Sequence, residues 1–176
     1  GHGVLTANVS GGNNVGIGRD VLANNTASNN TAVGYQSLLA NLAGDSNVAI
    51  GFQASVSNTA GNSNIAIGYE ALESNQASDR NVAVGLQALQ AHNMTGDAYN
   101  TAVGYHAGKA ISSGIQNTLI GSGAGDSLTD ADYNTYIGYN AGGLDDLGSY
   151  NVAVGVGALS TLNYSGATNG QNVAVG

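Results

Sequence analysis

One five-residue motif, Asn-x-Ala-Val/Ile-Gly, recurs ten times along the 176-residue chain and constrains its fold more than any other feature. It reads NVGIG (14–18), NTAVG (30–34), NVAIG (47–51), NIAIG (64–68), NVAVG (81–85), NTAVG (100–104), NTLIG (117–121), NTYIG (134–138), NVAVG (151–155) and NVAVG (172–176). Its closing glycines are Gly18, Gly34, Gly51, Gly68, Gly85, Gly104, Gly121, Gly138, Gly155 and Gly176, with spacings of 16, 17, 17, 17, 19, 17, 17, 17 and 21. Gly1 falls in the same phase, because residues 1–8 match residues 155–163 from the repeat glycine onward. Residues 1–176 therefore read as a single repeat array. A unit of this length is too short for a helix pair or a propeller blade and suits two short strands and two turns.

Within the motif, Val, Ile or Thr alternates with Ala at period two, a strand signal. The β-branched residues point to one face and the central residue to the other. The closing Gly fits a place where a Cβ would clash or φ must be positive. Asn heads the strand in every copy: Asn14, Asn30, Asn47, Asn64, Asn81, Asn100, Asn117, Asn134, Asn151 and Asn172. Coils stacked about 4.8 Å apart would set these side chains above one another as a hydrogen-bonded ladder. The expected fold is all-β, a parallel β-solenoid or β-roll of about ten coils. Such coils bury a core only by stacking on their neighbours.

The central position is Ala in seven copies and Gly16, Leu119 and Tyr136 in the others. It is never charged, so both faces of the strand read as buried. One face fills the coil and the other requires a partner chain. Ala and Gly permit close backbone approach, so the central row is expected to form the contact of a parallel homo-oligomer. Leu119 and Tyr136 would be larger plugs in that contact. After the glycine the pattern is usually aromatic-x-Ala-Leu, as from Tyr35 to Leu38 and from Tyr69 to Leu72, with Leu replacing the aromatic from Leu86 to Leu89. Three copies carry Ala107-Gly108, Ala124-Gly125 and Ala141-Gly142 instead. Tyr35, Phe52, Tyr69, Tyr105 and Tyr139 share the position after the glycine. They read first as a packing ladder and second as a stripe for sugars or a partner surface. Variable polar stretches complete the period, longest after Gly85 and Gly155, and their insertions are expected on one edge.

Composition narrows the partners. Three Lys and Arg stand against eleven Asp and Glu, for a net charge of −8. Neutralising phosphates needs clustered cations, so nucleic acid is not expected, nor is an anionic membrane surface. No apolar run approaches the ~20 residues of a membrane span. The absence of Cys removes disulfides and thiolate metal sites. His2, His92 and His106 occupy different repeat phases and read as surface residues. Asp130 with Asp132, and Asp145 with Asp146, lie in connecting stretches without a calcium-loop pattern and read as solvated. Gly16-Ile17-Gly18 and Gly121-Ser122-Gly123 sit inside the repeat and open no helix, unlike phosphate loops. No nucleophile elbow is present, and no serine has an identifiable base. Catalytic, cofactor-binding and metal residues are therefore not expected, and the chain does not read as an enzyme.

The segments NTAVGYQSL (30–38), NVAIGFQA (47–54), NIAIGYEAL (64–72) and NTAVGYHAG (100–108) resemble repeats of bacteriophage tail-fibre proteins. Their Asn-x-Ala-Ile-Gly core is also similar to the head repeats of trimeric autotransporter adhesins. The resemblance spans essentially the whole chain. It implies a left-handed parallel β-roll, a homotrimer and an extracellular place on a virion or cell surface. The implied function is a structural or adhesive rod, a shaft with a cell-surface glycan or protein receptor as a further partner. Ends that share one repeat phase suggest an alternative, a self-assembling extracellular filament whose subunits join end to end. A glycan- or ice-binding solenoid is a second alternative. Thr31, Thr101, Thr118 and Thr135 are interleaved with Val, an irregular array for ice.

Overall fold

In the computed structural model, which describes residues 1–176, the chain is all-β and has no helix. The strands in chain order are β1 (Val15–Arg19), β2 (Thr31–Tyr35), β3 (Val48–Ile50), β4 (Ile65–Ile67), β5 (Ala77–Asp79), β6 (Val82–Val84) and β7 (Thr95–Asp97). They continue as β8 (Thr101–Val103), β9 (Thr118–Ile120), β10 (Thr135–Ile137), β11 (Gly148–Ser149), β12 (Val152–Val154), β13 (Thr168–Asn169) and β14 (Val173–Val175). The ten motif strands form one sheet in the order β1-β2-β3-β4-β6-β8-β9-β10-β12-β14. Every pairing is parallel and joins equivalent residues, as Val15 with Thr31, Thr31 with Val48, and Val152 with Val173. Each turn thus lays its Asn-to-Gly segment over the previous one, which makes the chain a parallel β-solenoid. At about 4.8 Å per strand the sheet is about 43 Å tall.

Only one strand per coil is continuous, where the repeat length suggested two. The opposite side is built of turns because the second and fourth residues after each glycine take left-handed φ. Gln36 and Leu38 have φ of 54° and 49°, and Glu70 and Leu72 have 53° and 51°. Backbone bent this way cannot run extended. It still bonds coil to coil: the Leu38 N–H donates to the Ala54 carbonyl at 3.1 Å, and the Gln53 N–H to Tyr35 at 2.9 Å. Of 104 backbone hydrogen bonds only 22 lie within the strands, so turns supply much of the cohesion between coils. A Leu in this region costs about 1–2 kcal/mol, offset by that bonding and by burial of its side chain. Second strands appear only as the short pairs β5–β7 and β11–β13. These pairs flank the two longest coils, so both insertions emerge on the same edge.

The glycine column meets both conditions set for it by the sequence. Gly51 has φ of 140°, and a Cβ there would stand 2.3 Å from the Gly68 carbonyl oxygen of the next coil.

The assignment of the two strand faces is the reverse of the expected one. The central residues Ala32, Ala49, Ala66, Ala83, Ala102, Leu119, Tyr136 and Ala153 are wholly buried inside the coil. Leu119 and Tyr136 are therefore core residues, not plugs in a contact between chains. The β-branched residues point outward, with Val15 at 47% and Ile17 at 60% exposure. The reason is the width of the lumen. Leu22, Leu38, Leu72 and Leu89 enter from the turn side and fill it, leaving room only for Ala opposite. Where a larger residue comes from the strand, the turn side gives way. A Cβ on Gly125 would lie 2.9 Å from Leu119, and one on Gly142 would lie 2.1 Å from the Tyr136 ring. The Ala-Gly copies are thus the volume complement of Leu119, Tyr136 and their neighbours.

Candidate functional site

The ten motif asparagines stand in one column and hydrogen-bond from coil to coil. The backbone N–H of each donates to the side-chain oxygen of the one before: Asn30 to Asn14 at 2.9 Å, Asn47 to Asn30 at 2.9 Å, Asn64 to Asn47 at 2.9 Å and Asn81 to Asn64 at 2.9 Å. Asn100, Asn117, Asn134, Asn151 and Asn172 continue the series at 2.8–3.2 Å. Side-chain nitrogens donate mostly to a carbonyl of the following coil, as Asn47 to Gly61 and Asn64 to Ser78, both at 2.8 Å, while those of Asn81, Asn117 and Asn172 also reach the side-chain oxygen of the preceding motif Asn at 3.2, 3.2 and 3.0 Å. The rung is thus mainly amide to backbone. Every motif Asn between Asn30 and Asn151 is buried, so each of these bonds satisfies a group that water cannot reach.

A second column lies outside the five-residue motif. Seven residues after each glycine come Asn8, Asn25, Asn41, Asn58 and Asn75, then His92, Ile111, Leu128, Asp145 and Leu162. Asn41 donates to Asn25 at 2.6 Å and Asn58 to Asn41 at 2.8 Å, and each also reaches the carbonyl three residues on. His92 sits in this column and is fully buried, with neither ring nitrogen hydrogen-bonded. It is not the surface residue expected, because its phase points it into the lumen. Burial lowers its pKa from 6.5 to about 4, so the ring is neutral. Asp145 is likewise buried, against the solvated reading. It accepts the Gly148 N–H at 2.9 Å, the Tyr136 hydroxyl at 2.5 Å and the Asn151 side chain at 3.2 Å. Burial raises its pKa and, together with the Asp145 hydrogen bond, that of Tyr136. Asp132 and Asp130 bond to the preceding coil: Asp132 accepts the Ile115 N–H at 2.8 Å, and Asp130 the hydroxyls of Ser112 and Ser113 at 2.8 Å. Asp146 keeps one carboxylate oxygen buried without a partner, against the solvated reading.

On the outer face, two columns of Val, Ile and Thr run the height of the sheet without a charge. The aromatic stripe borders them on one side. Tyr35 stacks on Phe52 at 5.3 Å and Phe52 on Tyr69 at 5.0 Å between ring centroids. Arg19 lies 5.8 Å over the Tyr35 ring and extends the stack. Leu86 interrupts it before Tyr105, and Ser122 separates Tyr105 from Tyr139. On the other border Tyr133 and Tyr150 stack at 4.8 Å, and Arg80 lies 5.5 Å over Tyr99. This second aromatic border occupies the position before the motif Asn, which carries Asn or Ser in the early coils and so shows no period of its own.

One cleft of ≈ 150 Å³ opens on the surface, lined by Tyr105, His106, Ser122, Gly123, Asp126, Tyr139 and Asn140. It lies at the turn end of the aromatic stripe. No group of three or more His, Asp or Glu side chains is placed to hold a metal ion. No helix is long and apolar enough to cross a membrane. Comparison with protein-family models, with curated proteins and with solved structures finds no match to this chain.

Proposed function

We propose that the chain is the shaft of an extracellular fibre or surface adhesin, a non-catalytic rod that associates with parallel copies of itself as a homotrimer. The outer face of the ten-stranded sheet supports this reading. Its second and fourth motif positions are Val, Ile or Thr throughout, and Ile120, for example, is 39% exposed in the single chain. Charge-free β-branched columns bordered by aromatics are unusual on a surface that meets only water. A patch of more than a few hundred Å² of this kind marks an interaction site. Four outward columns span about 20 Å across a sheet about 43 Å tall, roughly 900 Å². That matches the ~800 Å² per partner of a standard interface. A second copy offers the same period along the axis, so every level can meet its equivalent.

Sedimentation of the purified chain tests this, with Ile65→Lys and Ile120→Lys variants beside it. The wild type is expected at three times the chain mass. Each Lys is tolerated on an exposed face, but buried between subunits it costs several kcal/mol. The variants should therefore sediment as monomers with unchanged far-UV circular dichroism. A wild type that stays monomeric at high micromolar concentration overturns the proposal. Long filaments in place of discrete rods would favour end-to-end assembly instead.

A further inference from the structure

The cleft between Tyr105 and Tyr139 is a vacancy that the fold does not require. At the first position after the glycine, Tyr, Phe or Leu fills every coil from Gly34 to Gly138 except at Ser122. At the second position Gln36, Gln53, Glu70, Gln87, His106 and Asn140 all carry side chains at left-handed φ. Gly123 shares that conformation at φ of 67°, yet a Cβ there would meet nothing closer than 3.7 Å. Neither backbone nor packing therefore demands a small residue. One coil has lost both side chains at once, leaving a slot one rung deep. Its floor is Tyr105 with His106 flat against it, ring centroids 3.7 Å apart. Its roof is Tyr139, with Asn140 beside it. Asp126 also lines the slot.

We infer that this slot binds one neutral pyranose ring of a glycan. The volume is well below the ~300–1,000 Å³ of drug-sized sites and suits a single ring. Tyr139, at 64% exposure, and the stacked Tyr105–His106 pair line the slot and supply aromatic surface for the apolar C–H face of a sugar. Hydroxyls at the ring edge can donate to the Asp126 carboxylate and exchange hydrogen bonds with Asn140, His106 and Ser122. Asn140, His106 and Ser122 make no side-chain hydrogen bond within the fold, whereas at the second position Gln53 bonds to Gln36 at 2.9 Å and Gln87 to Glu70 at 2.8 Å. Asp126 accepts from Ser127, and a carboxylate has further acceptor sites to offer. An aromatic side chain in the slot would satisfy none of them and would desolvate the Asp126 carboxylate further. The net charge of −8 disfavours acidic sugars. The slot is made of residues beyond the closing glycine, at the turn side, so the inference goes beyond the shaft reading and does not need the oligomer.

Saturation-transfer NMR with methyl glycosides of glucose, galactose, mannose and N-acetylglucosamine tests the site on the full chain. At least one glycoside should receive saturation and bind in the millimolar range. Ser122→Tyr refills the rung with the residue found in four other coils and should abolish binding while leaving the fold intact. Asp126→Asn should weaken it about tenfold, and Tyr35→Ala, outside the slot, should change nothing. Failure of all four glycosides to bind at tens of millimolar overturns the inference. So does binding that survives Ser122→Tyr, or preference for N-acetyltyrosinamide over every sugar.

Discussion

His92 should make the rod sensitive to mild acid at one level of its height. The ring is fully buried, no charged group stabilises its protonated form, and desolvation alone holds its pKa near 4. In the unfolded chain the value is 6.5. A lowered folded pKa means stability is complete above the unfolded value and is lost as pH falls through the folded one. The gap, at about 1.4 kcal/mol per pH unit, is worth about 3 kcal/mol below pH ~4. Between pH ~7.5 and ~5.5 the loss is about 1.3 kcal/mol. Solenoid coils hold only their neighbours, so this loss weakens the array at the coil between Gly85 and Gly104. His92→Asn places there the residue that fills the same phase in five other coils and removes the titration.

Urea unfolding followed by circular dichroism at both pH values should show the decline in the wild type and not in the variant. The difference between the two proteins cancels every other titrating group. Hydrogen exchange at pH ~5.5 should open amides beside His92 before those of the first coils. An imidazole proton resonance of His92 that titrates near 6.5, or equal pH slopes in the two proteins, would refute the reasoning.

Three further outcomes follow from the packing. Gly142→Ala forces a methyl onto the Tyr136 ring and should cost about 3 kcal/mol, whereas Gly12→Ala, with nothing within 4 Å, should stay within about 0.5 kcal/mol; thermal melts of both report the contrast. Asn64→Ala strips the acceptor from the Asn81 N–H and the donor to Ser78, so urea unfolding should register a loss of about 2–4 kcal/mol. Tyr136→Phe removes a donor to Asp145 and should cost about 1–3 kcal/mol at neutral pH. Because the Asp145 pKa is raised in the fold, its share of stability is full below pH 3.8 and is lost as pH rises through the folded value. Unfolding measured near pH 4 and pH 7 should therefore show a steeper decline for Tyr136→Phe and a flatter one for Asp145→Asn.

What could be read from the chain, and what could not, divides along a physical line. Features that need equivalence between coils were legible. The strand column, the glycine column and the Asn14-to-Asn172 series must stay in register, so they recur without exception. Features that depend on which way a face points were not. Alternation separates Ala49 from Val48 and Ile50 but does not say which side is inside, and hydrophobicity alone argues for the wrong one. The missing signal was volume. Gly108, Gly125 and Gly142 replace Leu in the coils that receive Leu119 and Tyr136 or adjoin them, a compensation that makes sense only if both positions share a lumen. The column of Asn25, Asn41, Asn58 and Asn75 escaped notice because it holds in half the coils. His92 and Asp145 were misplaced with it, since polar type suggested surface where phase demanded core. The slot at Ser122-Gly123 looked like an ordinary Gly-x-Gly until its neighbours showed what was missing.

The two asparagine columns explain where the period can stretch. Between the motif Asn and the second column, roughly alternate backbone N–H groups bond to a neighbouring coil, as those of Val48, Gly51, Gln53, Ser55 and Ser57 do, and the spacing does not vary. The second-column Asn then clamps a tight turn, as Asn58 does by donating to the Gly61 carbonyl at 3.0 Å. That bond fixes a three-residue step and leaves no room for extra chain. Both coils with insertions, spanning 19 and 21 residues, lack Asn at this position and carry His92 and Leu162 instead. Loop lengthening itself is cheap, about 0.6 kcal/mol per doubling. The obstacle to insertion is a buried amide left without its carbonyl, which costs about 1–3 kcal/mol. A coil can therefore carry a longer loop once its clamp is replaced by a side chain that makes no such demand. The unpartnered nitrogens of His92 mark one place where that exchange was made at a cost in stability.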